Sequence, residues 1–251
     1  MATYTIKAGD TLSSIASELG TNVQTLENLN PGVNPDNLQI GQVINVPTGP
    51  VPEPQPTSNG YVPFSGPASN FPDQSTWADY QSLWDFNSSI MPSIGFSGLE
   101  DVSTSVDIIG TWIPSIASES GVDARVILCI IMQESGGNVL VHSTNSPGPN
   151  SVNNTGIMQA HDGVSGVTLE QEPWPVPVTS IGQMIRDGTE GTATGPGLMQ
   201  LFQKWGNWYE AAREYNSGQV DVTNLSNGSG ATDSYVSDVA NRLLNHVWPN
   251  M

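Results

Sequence analysis

From Val126 to Met132 every residue is apolar, with Asp123 shortly before the run and Gln133-Glu134-Ser135-Gly136-Gly137 directly after it. A helix that is apolar all round has no face to offer water, so this segment has to be the buried centre of a body built around it. Asp123 is placed to cap its start, and the glycine pair supplies a left-handed stop. Glu134 then stands in the last turn of a buried helix. Its ionised form is penalised by desolvation and by the negative end of the helix dipole, so its pKa is expected to rise. A carboxyl that keeps its proton near working pH is what glycoside cleavage requires of a general acid, because the leaving sugar oxygen must receive a proton.

Around this segment the chain from about residue 76 is a series of helical patterns separated by Gly, Pro, Ser and Asn clusters. One apolar stripe is Trp77, Tyr80, Leu83 and Trp84, and the next is Val106, Ile109, Trp112, Ile113 and Ile116, where Pro114 marks a break in the helix. Further stripes are Ile181, Met184 and Ile185; Leu198, Leu201, Phe202 and Trp205; and Trp208, Ala211, Ala212 and Tyr215. The last is Tyr235, Val236, Val239, Leu243 and Val247. Most of these aromatic residues read as core.

Residues 48–72 are rich in proline and show no apolar period, which reads as an extended linker between a piece at 1–47 and a larger domain at 73–251. The formal charge of the chain is -18, which argues against nucleic acid and against an anionic membrane as partners, since both call for a basic face. No run of roughly 18 apolar residues is present, and the start of the chain lacks the pattern of a signal peptide, so the numbered chain reads as a mature form. Few lysines beside many acids, Gly, Pro, Ser and Thr suit a secreted, extracellular protein. The lone Cys129 excludes an intrachain disulfide and a thiolate-built zinc site. His142, His161 and His246 lack ligand-like pairing, so neither a metal nor an organic cofactor is expected. The Asn-x-Ser/Thr triplets at Asn87, Asn153, Asn224 and Asn227 would be glycan acceptors only on a eukaryotic secretory route.

Residues 1–47 read as strand, helix, helix, strand. Tyr4-Thr5-Ile6-Lys7 alternates, Thr11 caps a helix whose face is Leu12, Ile15, Ala16 and Leu19, and Val23, Leu26 and Leu29 suit a second helix ending at Asn30-Pro31-Gly32. Gln42 to Pro47 closes the unit as a strand. Tyr4 to Leu12, Ile15-Ala16, Leu26, Asn28-Leu29-Asn30-Pro31 and Leu38 to Ile44 together resemble a LysM module over its whole length. That resemblance implies a small α+β (βααβ) fold that binds N-acetylglucosamine-containing glycan, either chitin or peptidoglycan, between two loops. Carried over, the loops are Gly9, Asp10, Thr11 and Leu12 on one side and Asn30, Pro31, Gly32 and Leu38 on the other, with Leu12 covering a sugar face.

In the larger domain, three spaced motifs carry a second resemblance. Gln133-Glu134-Ser135-Gly136, Asn154-Thr155-Gly156-Ile157-Met158-Gln159 and Ala212-Arg213-Glu214-Tyr215-Asn216-Ser217-Gly218 resemble those of the soluble lytic transglycosylase and goose-type lysozyme family. The resemblance covers roughly residues 108–220. It implies a mainly α, lysozyme-like fold and cleavage of the β-1,4 bond between N-acetylmuramic acid and N-acetylglucosamine. It makes Glu134 the catalytic acid, with Ser135 the hydroxyl beside it, facing substrate. Gly156, Ile157, Met158 and Gln159 would line the groove, Gly156 letting backbone approach sugar and Gln159 bonding an N-acetyl group. Tyr215 and Asn216 would face the acid.

Members of that family either add water, giving a muramidase, or let the muramic C6 hydroxyl attack, giving 1,6-anhydro ends. Goose-type lysozymes place acids between the catalytic Glu and the Gly-Leu-Met-Gln segment and just after it. Here no Asp or Glu occurs from Ser135 through His161, and Asp162 is the first afterwards. Asp162 is therefore read as positioning water, with a turn residue before Gly163 as its other reading, and His161 as sharing the role or bonding the loop; an inverting mechanism places two carboxyls roughly 6.5–9.5 Å apart. Trp174, in Glu172-Pro173-Trp174-Pro175, is placed either to stack on a sugar ring or to pack on the surface. The expectation is a secreted, monomeric muramidase tethered to cell-wall glycan by its LysM module, with chitin cleavage or glycan binding without catalysis as the alternatives. Repulsion between a chain at -18 and an anionic wall favours activity in acid.

Overall fold

The computed structural model describes residues 2–7, 9–12, 14–15, 26, 29–35, 37–46, 60–94, 102–146, 151–165 and 176–246. In the N-terminal domain, β1 (Ala2–Thr5) pairs antiparallel with β2 (Val43–Val46), with Ala2 opposite Val46 and Thr5 opposite Val43. Leu12, Ser14 and Ile15, and then Leu26 and Leu29, lie in helical backbone, while Ala16, Leu19 and Val23 of the expected helices fall outside the described residues. Ile6, Leu12, Ile15, Leu26, Ile44 and Val46 form its core. Alternation along β2 explains this: Ile44 and Val46 point inward, and Val43 between solvent and turn stays exposed.

The larger domain is mainly α, as expected. Its helices are α1 (Tyr80–Ile94), α2 (Ser103–Ser120), α3 (Ala124–Glu134), α4 (Val178–Glu190), α5 (Leu198–Trp205), α6 (Trp208–Ser217) and α7 (Tyr235–Leu243). The apolar run sits where its composition requires, with every residue from Val126 to Met132 at most 3% exposed. Around α3 pack α1, α2, α4 and α7, while α5 and α6 form a hairpin against one another and α6 also meets α7. Asp123 accepts the Arg125 amide at 2.9 Å, which is the expected cap of α3. Pro114 does not break α2, which runs through it to a left-handed Gly121. The stripe Val106, Ile109, Ile113 and Ile116 is buried on both sides of the proline, and that packing outweighs the one lost backbone bond.

Between α3 and α4 lies a small antiparallel sheet of β3 (Thr144–Asn145), β4 (Asn153–Thr155) and β5 (Ala160–His161), in the order β3-β4-β5. Gly156 to Gln159 form the turn between β4 and β5, with Asn154 opposite His161.

The linker expected at 48–72 is corrected in its second half. Residues 48–59 lie outside the described residues, but Val62, Phe64 and Phe71 are buried in the core of the helical domain. Residues 61–64 bond along α7: the Val62 amide donates to Asn241 Oδ1 at 2.9 Å, the Phe64 amide to Ser237 Oγ at 3.0 Å, and Asn241 Nδ2 to the Val62 carbonyl at 2.7 Å. Tyr61 Oη donates to Asp238 Oδ1 at 2.7 Å. Prolines suggested a free tether; the apolar residues placed between them fill the helical core.

Candidate active site

Glu134 closes α3, directly after the buried apolar run, and only part of its surface reaches solvent. Burial raises its carboxyl from the ordinary 4.5 to about 7, and a hydrogen bond from Tyr235 opposes the rise. Tyr235 is the first residue of α7, and its hydroxyl donates to Glu134 Oε1 at 2.5 Å. Among the described residues no carboxylate contributes to the shift.

A second phenol stands close by. Tyr215, on α6, donates to the Met158 carbonyl at 2.7 Å. Burial raises the pKa of Tyr215 well above 10, and the charges of Glu134 and Asp187 add to the rise. Burial and the Glu134 charge do the same to Tyr235. Both phenols are therefore neutral donors around one carboxyl. Room for Tyr215 comes from Gly188 on α4, where an added Cβ would lie 2.8 Å from the Tyr215 hydroxyl and 2.5 Å from Met158 Cβ. Asp187, beside Gly188, is buried and accepts from the Val164 amide and Gln183 Nε2, both at 2.7 Å.

The β4–β5 turn is pinned to this site from two sides. Ser135 Oγ donates to the Ile157 carbonyl at 2.8 Å and accepts from the Gly137 amide, and Tyr215 takes the Met158 carbonyl. The hydroxyl of Ser135, expected to face substrate, thus ties the end of α3 to the turn. Ile157 and Met158 are corrected as groove-lining side chains, since both are 0% exposed and belong to the core. At Gly156, expected to admit a sugar, φ is +68° and a Cβ would meet the Val164 carbonyl at 2.5 Å and Met184 Cγ at 2.7 Å. The close approach that demands glycine is therefore to the protein itself. Gln159 spends its amide internally, accepting from Thr144 Oγ1 at 2.9 Å and donating to the Gly156 carbonyl at 3.0 Å.

Asp162 follows β5 at φ +49° with its side chain 46% exposed. Its Oδ1 accepts the Asn153 amide at 3.3 Å, and its Oδ2 lies 3.2 Å from Thr194 Oγ1 and 3.5 Å from His161 Nε2. Asp162 and His161 are thus brought together at the end of the β4–β5 hairpin. Asn216, expected to face the acid, accepts from Arg213 Nη2 through its Oδ1. Trp174 lies outside the described residues. No cluster of three His, Cys, Asp or Glu that could hold a metal occurs among the described residues.

Tyr235 escaped the sequence reading, which placed it in an apolar stripe. A tyrosine 101 residues from its partner gives no local signal beyond that of a core aromatic. Asp187 escaped for the same reason, since its role depends on the turn that α4 meets.

In the smaller domain, the loop residues divide. Asp10 Oδ2 accepts the Lys7 amide at 2.7 Å, and Thr11 Oγ1 accepts the Ser14 amide at 3.0 Å, so both serve the turn and helix cap. Leu12, expected to cover a sugar face, is 4% exposed and is core. Asn30 donates to the carbonyls of Leu26 and Asn45 and accepts the Asn45 amide at 2.7 Å, which locks the loop to β2. Gly9, Pro31 and Gly32 are exposed, and Leu38 packs partly on the core. Of the glycan acceptor triplets, Asn87 is 2% exposed with its Nδ2 on the Leu83 carbonyl, and is closed to modification in the folded chain.

Residues 4–47 match the family described as LysM domain, and residues 112–236 match the family described as Transglycosylase SLT domain. The second match spans Glu134, the β4–β5 turn, Tyr215 and Tyr235. The secreted LysM effector ELP2 of Colletotrichum higginsianum is 61% identical over 46 residues, covering 18% of this chain and 26% of that protein. The N-acetylmuramoyl-L-alanine amidase XlyB of Bacillus subtilis is 48% identical over 44 residues, covering 18% of this chain and 14% of that protein. A crystal structure of the LysM domain from Volvox carteri chitinase shares 60% identity over 19% of this chain and 96% of that one, with a TM-score of 0.19. The chain thus spans about a quarter or less of the curated relatives it matches.

Proposed function

The chain joins a LysM domain to a transglycosylase SLT domain, and we propose that it is a muramidase, cleaving the β-1,4 bond between N-acetylmuramic acid and N-acetylglucosamine with Glu134 as general acid. One observation carries this reading. The Glu134 carboxyl, raised to about 7 by burial and held by Tyr235, keeps its proton in mildly acidic solution and is still partly protonated at neutral pH, where an ordinary Glu would have lost it. The proton passes to the leaving sugar oxygen, and the resulting carboxylate is stabilised by the Tyr235 hydroxyl. Tyr215 keeps the β4–β5 turn against the acid, so that substrate meets a wall of fixed position.

Water completes the reaction in the first reading, positioned by Asp162 with His161 and Thr194 beside it. A second reading is supported by the Glu134 shift, to which no other described carboxylate contributes. In it the muramic C6 hydroxyl attacks the glycosyl carbon, and Glu134 accepts that hydroxyl's proton. The LysM domain tethers the enzyme to N-acetylglucosamine-containing wall glycan through the exposed Gly9, Pro31 and Gly32, raising local substrate concentration. The protein works outside the cell, a reading supported by its composition and by the relative named as a secreted effector.

The test is digestion of purified peptidoglycan by the protein and by Glu134→Gln, with soluble fragments analysed by mass spectrometry. Reducing muramic ends that vanish in the variant support the muramidase, and ends lighter by one water support the transglycosylase. Fragments that persist in Glu134→Gln sink the assignment of the acid. Release from soluble chitin oligomers but not from peptidoglycan would move the substrate to chitin.

A further inference from the structure

Beside the site is a buried charge to which the cleavage chemistry assigns no task. Arg213, on α6, is 0% exposed. Its Nη1 donates to the carbonyls of Leu225 at 3.3 Å and Thr232 at 3.0 Å, its Nη2 donates to Asn216 Oδ1, and its Nε has no hydrogen-bond partner. Among the described residues no carboxylate lies within ion-pair distance of it. Burying a cation without an ion-pair partner is costly. What the guanidinium does meet is an aromatic ring: its carbon lies 5.9 Å from the centroid of Tyr235, the residue whose hydroxyl holds Glu134 at 2.5 Å.

We infer that Arg213 is a positioning residue that acts on Glu134 through Tyr235. A cation at the ring face draws electron density from the phenol, which makes its hydroxyl a stronger donor and favours the ionised Glu134 that must form once the proton has been given up. The inference rests on the reading of Glu134 as the acid. Other charges near this chain of contacts are few. Tyr235 is faced by Glu134 from α3, by Tyr215 and Arg213 from α6, and by the buried Arg242 on its own helix. Asp233 acts on Arg213 from the preceding loop, Asp238 acts on Arg242, and Asp187 reaches Tyr215 from α4. Arg242 is engaged by Gln133 Oε1 at 2.9 Å, whereas Arg213 has carbonyls, an amide oxygen and the ring.

The experiment follows the Glu134 carboxyl by carbon NMR titration in the full chain, with the resonance assigned through Glu134→Gln. The titration is read in the unaltered protein, in Arg213→Gln, in Tyr235→Phe and in the double variant. The expected result is a midpoint raised by roughly half a pH unit or more in Arg213→Gln, and no further effect of Arg213→Gln once Tyr235→Phe is present. Arg213→Lys, which keeps the charge, is expected to restore most of the midpoint. An unmoved midpoint, or an equal shift with and without the Tyr235 hydroxyl, overturns the inference. Should no Arg213 variant fold, the unaltered chain still decides: the Arg213 side-chain resonances are expected to titrate at the Glu134 midpoint, and resonances indifferent to it overturn the inference. Failure of the acid assignment is separate, since it shows as glycan cleavage that survives in Glu134→Gln.

Discussion

The hydroxyl of Tyr235 donates to Glu134 Oε1 over 2.5 Å, so the first residue of α7 holds the last residue of α3. Removing that hydroxyl with Tyr235→Phe takes away the one interaction that favours the carboxylate, and the Glu134 midpoint is expected to rise further above 7. Loss of a hydrogen bond to a charged group costs about 1.5–3 kcal/mol, which corresponds to a fall in turnover of roughly 10- to 100-fold when the carboxylate must form. A variant with unchanged turnover and an unchanged pH profile would show the contact to be idle.

The pH profile follows from the same carboxyl. Its acid form is needed and its pKa is raised, so activity is expected to be present below about 7 and to fall as pH rises through that value. At low salt, repulsion between a chain at -18 and an anionic wall lowers the neutral side further, and added salt recovers it. A rate maximum well above pH 7 at low salt contradicts this.

Stability gives an independent reading. A carboxyl with a folded pKa near 7 against 4.5 unfolded costs nothing below the unfolded value; the cost grows as pH rises from 4.5 and is complete above 7. Glu134→Gln removes it. The variant is expected to be more stable than the unaltered chain at pH 8, by about 2 kcal/mol after allowing for partial exposure, and indistinguishable at pH 4. Thermal or urea unfolding at the two pH values measures it.

Gly156→Ala tests the turn. The residue would hold φ +68° with its Cβ 2.5 Å from the Val164 carbonyl, so a loss of roughly 2–4 kcal/mol is expected. A variant that unfolds like the unaltered chain would show that the turn can move away from Val164.

Phe71→Ala tests the domain boundary. Phe71 is 7% exposed and stacks near Tyr209, with ring centroids 4.9 Å apart. In the full chain the helical domain is expected to lose about 3–5 kcal/mol. An unchanged unfolding transition of that domain would return residues 60–72 to the linker.

Local chemistry made much of this molecule legible from its sequence. Asp123, the apolar run and Glu134 specified a capped, buried helix ending in a penalised carboxyl, because capping, period and burial are properties of neighbours along the chain. The stripes on α2, α4, α6 and α7 were readable for the same reason. Decisions that depend on what meets what across the fold were not. Whether Ile157 and Met158 face a groove or the core, whether Ser135 faces sugar or the Ile157 carbonyl, and whether Phe64 belongs to a tether or a core are settled by packing. The sequence by itself therefore determined the main helices, the place of the Glu134 carboxyl at the end of one of them and the small domain's pattern. Only the tertiary structure decided what surrounds that carboxyl: Tyr235 bonds Glu134, Tyr215 feels its charge and Arg213 meets the Tyr235 ring, all from helices far away in the chain, and a phenol or guanidinium meets its partner only after the core has closed.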